Sequence, residues 1–211
     1  MKFISVILII IFFYGCSSNN KVIEVNNKSL SAYEIELNKV NNKSNDVDFY
    51  KLRMSYTDTV EYSPYTADRS NTKKAFKLLR NKDFKKCLEV ASQILTQEYV
   101  NIDGHFLSMM CNNKLGYSKK GEFHKYVFNG LVDSIKNNGD GKTKDTAYTT
   151  ISTDELYTFL NIYGLRTNNQ SLERKNNKAY DVMTVINKKK KEFIVYFDIT
   201  KQMSQINKLF N

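Results

Sequence analysis

Residues 83–95 read Asp83-Phe84-Lys85-Lys86-Cys87-Leu88-Glu89-Val90-Ala91-Ser92-Gln93-Ile94-Leu95. Within them Phe84, Cys87, Leu88, Ala91, Ile94 and Leu95 recur at steps of three and four, which lays apolar side chains along one face of an α-helix. The same period continues on both sides. Phe106, Leu107, Met110 and Cys111 make the stripe of the next helix. Phe123, Val127, Gly130, Leu131, Ser134 and Ile135 make that of a third, and Ala75, Phe76, Leu78 and Leu79 that of an earlier one. Only short polar breaks part these segments, so neighbours are expected to fold back on one another as antiparallel hairpins. Lys85-Lys86-Cys87 stands 34 residues before Lys119-Lys120-Gly121, and each opens a helix after a polar turn. That interval is the tetratricopeptide period. The full consensus of the repeat is absent, so the expectation is tetratricopeptide-like hairpins.

Beyond Gly139-Asp140-Gly141 the period shortens. Residues 146–151 are β-branched and aromatic, as in a strand. Ser152-x-x-Glu155 has the spacing of a capping box and starts a helix with Leu156, Phe159, Leu160 and Tyr163 facing inward, which Gly164 stops. Residues 181–186 and 193–199 are two further strands, joined by a turn of lysines at 188–191. In the last strand Phe193, Val195, Phe197 and Ile199 alternate onto one face. Four lysines at a hairpin tip repel edge pairing and keep the loop solvated. The fold class that follows is α+β. Helical hairpins over 48–138 precede, over 139–203, a small antiparallel β-sheet with one packed helix, the two parts forming one unit.

Upstream, Phe49, Leu52 and Tyr56 are spaced for a short helix, and Pro64, the only proline, ends that segment and biases Ser63 to extended backbone. The tyrosines and Arg53 here read either as a binding surface or, more commonly for such residues, as a packed flap with satisfied hydroxyls. Residues 16–47, rich in Asn, Lys and Ser, read as a tether with room for a short helix at a weakly amphipathic stretch around Tyr33-Glu34-Ile35-Glu36-Leu37. Before it, Lys2 and the apolar run from Phe3 to Tyr14 have the form of a secretory signal over 1–15. The run falls short of the ~20 apolar residues a spanning helix needs. Gly15-Cys16 at its end resembles the lipobox of bacterial lipoproteins, although Phe13 and Tyr14 stand where Leu and a small residue are commoner. Cys16 is therefore the expected site of lipidation. Ser17 and Ser18, rather than Asp, follow it, which by the sorting rule of some Gram-negative lipoproteins points to the outer membrane and a periplasm-facing domain.

Of 211 residues, 32 are Lys or Arg and 22 Asp or Glu, a net charge of +10, and 41% are hydrophobic, enough for a core. Asparagine and lysine together fill 51 positions, so the charge reflects composition and reads first as a solvated surface. Export excludes nucleic acid as a partner. It leaves the membrane reached through the lipid, and an envelope protein or an anionic envelope polymer.

Several short patterns recur in one order: Leu52-Arg53-x-x-Tyr56, Tyr62-x-Pro64-Tyr65, Ile102-Asp103-x-His105, His124, Ser134-Ile135, Gly139-Asp140-Gly141, Gln170-x-Leu172, Tyr180-Asp181 and Tyr196-Phe197. Over about residues 48–200 they resemble the bacterial domain-of-unknown-function family numbered 4919. Thr153-Asp154-Glu155-Leu156 departs from the Glu-Glu-Tyr triplet expected there. The resemblance implies an exported or lipid-anchored protein and brings no catalytic residues with it.

Chemistry has few carriers. His105 and His124, the only histidines, lie on successive helices. Two readings stand for them: a polar or acid–base site with Asp140 and Arg53 as neighbours in a cleft, or two partly buried side chains bonded within the fold. Asn137 to Gly141 fails the calcium-loop template, because positions 1 and 12 would be Lys136 and Ala147. No zinc-type spacing, nucleophile elbow or phosphate loop is present, so neither metal nor cofactor is expected. Cys87 and Cys111 fall at matching heights of one hairpin on facing stripes, either bonded or as two buried thiols. The leading functional expectation is a binding or scaffolding module. The alternative is a hydrolase-like envelope enzyme using His105, His124 and Asp140.

Overall fold

A computed structural model describes residues 29–64 and 69–210. Its chain order is α1 (Ala32–Asn41), α2 (Phe49–Tyr56), α3 (Arg69–Arg80), α4 (Phe84–Gln97), α5 (Ile102–Lys114), α6 (Ser118–Lys136), β1 (Tyr148–Thr149), α7 (Thr153–Ile162), β2 (Arg166–Lys175), β3 (Lys178–Ile186), β4 (Glu192–Asp198) and α8 (Thr200–Phe210). The fold is α+β. Helices α4 and α6 start 34 residues apart, the interval of the lysine pairs.

Helices α4 and α5 each begin where the sequence offers a cap. Asp83 accepts from the Lys86 N–H and Asn101 from the Gly104 N–H, satisfying donors that a first turn leaves open. Helix α5 is the middle of the stack. Beyond its expected stripe it also buries His105, Ser108 and Asn112, because α4 covers one side and α6 the other. The Cys87–Cys111 disulfide joins α4 to α5, with Cα atoms 6.4 Å apart. Around it Ala75, Val90, Ala91, Ile94 and Leu107 form a cluster of their own.

The main core lies between this stack and the sheet, where Leu52, Val127, Leu131, Ile135, Leu156, Leu160, Met183 and Phe197 meet. Gly130 lets the Phe49 ring lie directly on α6, in space that a Cβ would occupy.

The strand order is β1-β4-β3-β2. Strands β2, β3 and β4 are antiparallel, but β1 pairs parallel with β4, Tyr148 opposite Phe197, so the sheet is mixed rather than purely antiparallel. Two residues of the expected 146–151 strand pair there. The rest is held by loop bonds, with the Asp140 and Gly141 N–H groups donating to the Thr146 carbonyl. The Asn176-Asn177 turn, with φ of 51° and 60°, is of the doubly left-handed kind that suits a two-residue hairpin, and it closes β2 onto β3. Phe193 and Tyr163, expected inside, are 37% and 45% exposed, each at the end of its element.

The 16–47 tether is shorter than the composition suggested. Ser31 and Glu34 make a reciprocal capping box, and α1 buries Glu36 and Val40 against α2. The Glu36 carboxylate accepts from the Asp48 N–H and pairs with Lys39 and Lys51, which together hold it below the usual carboxylate range despite its burial. At the other end α8 extends past residue 203. Its buried Gln202 donates from Nε2 to the Thr150 carbonyl and hydroxyl, both at 3.1 Å. The 1–15 signal and Cys16 lie outside the described residues. No helix among the described residues is long and apolar enough to cross a membrane.

Candidate functional site

Of the four residues expected to share a cleft, two come together. His105, one turn into α5, is wholly buried, and its Nε2 lies 2.7 Å from the Tyr99 carbonyl oxygen. A carbonyl only accepts, so Nε2 carries the proton and Nδ1 has the lone pair. The His124 Nδ1–H donates to that lone pair across 3.1 Å. The tautomers are fixed by this chain of donors. Burial, and then the neighbouring His124, pull His105 down to about 3, while burial pulls His124 down to about 4. The pair is neutral near pH 7, and both nitrogens of His105 are spent on internal bonds. It packs α5 to α6 and is not poised as a base.

Arg53 lies elsewhere. Its guanidinium, with no exposed surface, donates from Nε and Nη2 to the two Glu155 oxygens, each at 2.7 Å. Nη2 also reaches the Thr149 carbonyl at 2.8 Å, and Nη1 the Ser134 hydroxyl at 3.0 Å. Glu155 Oε2 further accepts from the Ile151 N–H at 2.8 Å. One forked cation thus ties α2 to α6, β1 and α7, with four of its five N–H donors bonded. Asp140 is on the surface loop before β1. Its carboxylate accepts from the Thr146 hydroxyl and the Lys142 N–H, which hold it well down in the carboxylate range. The expected cleft of His105, His124, Arg53 and Asp140 is therefore not assembled. Two of these residues brace the core, His124 is half-buried beside His105, and Asp140 locks its own loop.

An open groove lies apart from these four residues, none of which lines it. Tyr33 of α1, Tyr56 of α2 and Tyr99 after α4 line it with Leu37 and Leu95, and it has a volume of about 740 Å³, within the usual range of ligand sites. Tyr33 and Tyr56 rings stand 5.5 Å apart, and Tyr62 continues the stack edge-on at 5.8 Å while donating its hydroxyl to the Ile151 carbonyl. Glu34, Asp58 and Glu61 are the charged side chains at this groove. Burial, then the Glu61 and Glu98 carboxylates, push the Tyr33 phenol up to about 12, and burial raises Tyr56 and Tyr99 as well. All three remain neutral hydroxyls.

Behind the groove Glu98, pushed up to about 7 by burial, accepts from the Asn101 amide at 2.8 Å. It shares with Asp103, Asp154 and Glu155 a cavity of about 10 Å³, room for a single water. Asp103, raised by burial, accepts from the Thr158 hydroxyl at 2.8 Å. No group of three or more potential ligands among the described residues could hold a metal ion. A second open groove, of about 880 Å³, runs between the β2–β3 turn and α8, with Arg174, Lys175 and Lys178 beside Asn176 and Asn177. The signal that could have exposed the tyrosine groove was the Ser31-x-x-Glu34 capping box, which turns part of an Asn/Lys-rich tether into a docked helix.

A family model described as a domain of unknown function (DUF4919) matches residues 37–208. No curated protein and no solved structure matches the chain.

Proposed function

The chain belongs to the domain-of-unknown-function family DUF4919, and from that footing we propose that it is a lipid-anchored envelope protein that acts by binding rather than by catalysis. One observation carries the binding reading. The ionisable groups a hydrolase would need are dispersed or already bonded, whereas the tyrosine groove is open and presents neutral phenols and unburied carboxylates. Export is supported by the lipobox-like Gly15-Cys16 and by the Cys87–Cys111 bond, since disulfides persist in oxidising compartments. The anchor on Cys16 would hold the groove near the membrane, because Ser29 and Ser31 at its mouth lie 13 and 15 residues beyond that cysteine.

Hydrogen exchange of the full chain, alone and with detergent-solubilised envelope proteins, tests the reading. Slowed exchange confined to residues 29–37, 55–61 and 95–99 is expected. Unchanged exchange in these segments, or turnover of an ester or peptide that is lost in His105→Gln, would overturn it.

A further inference from the structure

We infer that the occupant of the tyrosine groove is a segment of a partner protein bearing lysine or arginine side chains; this rests on the binding reading above. The chain carries 32 Lys and Arg against 22 Asp and Glu, yet among the described residues no Lys, Arg or His lines this groove, while Glu34, Asp58 and Glu61 do. The groove is an acidic site on a basic protein. Lys201 meets Asp58 at 3.5 Å, but both side chains are largely exposed, so an incoming cation displaces that contact at little cost. Glu61 has no ion pair among the described residues.

The lining suits the rest of such a side chain too. Tyr56 is buried in the core, but Tyr33 and Tyr99 are only part-buried, and such rings attract ammonium and guanidinium groups through the ring quadrupole. Leu37, Leu95 and Val60, the last 96% exposed, offer apolar contact to the methylene stem below the charge. The groove is open along its length and holds about 740 Å³, room for several residues of extended chain rather than a single enclosed amine. Of the two partners expected from the sequence, an anionic polymer is repelled here and a basic protein segment is attracted.

Calorimetric titration of the full chain in detergent with two peptides, acetyl-KLKLK-amide and acetyl-ELELE-amide, tests the inference. The lysine peptide binds and the glutamate peptide does not. Affinity for the lysine peptide falls about tenfold or more in the double variant Asp58→Asn, Glu61→Gln, as for other lost charge partners. It also falls when salt is raised to about 500 mM, where the screening length is only a few ångströms. Arg174→Gln, in the other groove, leaves it unchanged. Equal binding of both peptides, or full affinity in the double variant, overturns the inference. If envelope proteins protect residues 29–37, 55–61 and 95–99 but the lysine peptide neither binds nor displaces them, the charge class is wrong and the binding reading stands. If those proteins protect nothing, the binding reading fails and takes this inference with it.

Discussion

Arg53 is the largest side chain among the described residues with no exposed surface, and its charge is met by the Glu155 carboxylate in a fork. Removing one partner leaves the other charged and dry, so Arg53→Met is expected to cost about 3–5 kcal/mol. Replacing both, Arg53→Met with Glu155→Leu, recovers most of that loss, as urea unfolding midpoints would register. Equal losses in the single and double variants would mean that packing, not charge, sets the penalty. The histidine pair makes a pH-dependent claim. Both groups sit below their ordinary value of 6.5 when folded, so the unfolded chain takes up protons first. Stability is full above pH 6.5 and is lost as pH falls towards about 4 and about 3. The slope is at most about 1.4 kcal/mol per pH unit for each proton. Glu98 works the other way: raised to about 7 from 4.5, its contribution is present below pH 4.5 and lost as pH rises through about 7. Glu98→Gln should therefore raise the melting temperature above pH 7 and steepen the net decline from pH 6.5 to 4.5. A flat profile over that interval in Glu98→Gln would sink the neutral pair. At this scale the sequence was half legible. Two histidines on successive helices were readable as neighbours, and Ser152 does cap the Glu155 N–H at 3.1 Å. That the Glu155 carboxylate turns away from its cap to meet a residue 102 positions earlier was not, because no local spacing encodes it.

Among the elements, those that bury a stripe were legible and those that do not were missed. Helices α3 to α7 follow the apolar period closely, since each has one face on a core. Strand β2 was overlooked for a physical reason: Arg166–Lys175 is an edge strand almost wholly exposed, so it has no alternation to display. Its one clue was the Asn176-Asn177 turn. Helix α8 was missed because the preceding strand was read as the end of the domain. The α4–α5 hairpin carries the element-scale prediction. Its bond closes a loop of 24 residues, and reduction should lower stability by roughly 2–4 kcal/mol. Alkylation of the denatured, unreduced chain should leave Cys87 and Cys111 unlabelled, and label appearing on both would show two packed thiols instead.

For the molecule as a whole, composition told less than placement. A net charge of +10 gives no hint that one groove is acidic and another, at the far hairpin, basic. The proposed anchor on Cys16 gives the prediction at this scale. Cys16→Ala should abolish fatty-acid labelling and release the protein from membranes, and retention after a carbonate wash would mean that the apolar run is itself the anchor. One architectural feature also bears on how the molecule is made. The disulfide spans 24 residues of chain, but the Arg53–Glu155 fork spans 102. A chain delivered N-terminus first can close and oxidise the α4–α5 hairpin while Glu155 has yet to emerge. During that interval α2 carries a cation with no anion, and its apolar face has no sheet to lie on. Assembly is thus expected to have a late step, in which the first helices wait for the last third of the chain. A nascent protein stalled there presents the surface that a holdase chaperone would have to cover.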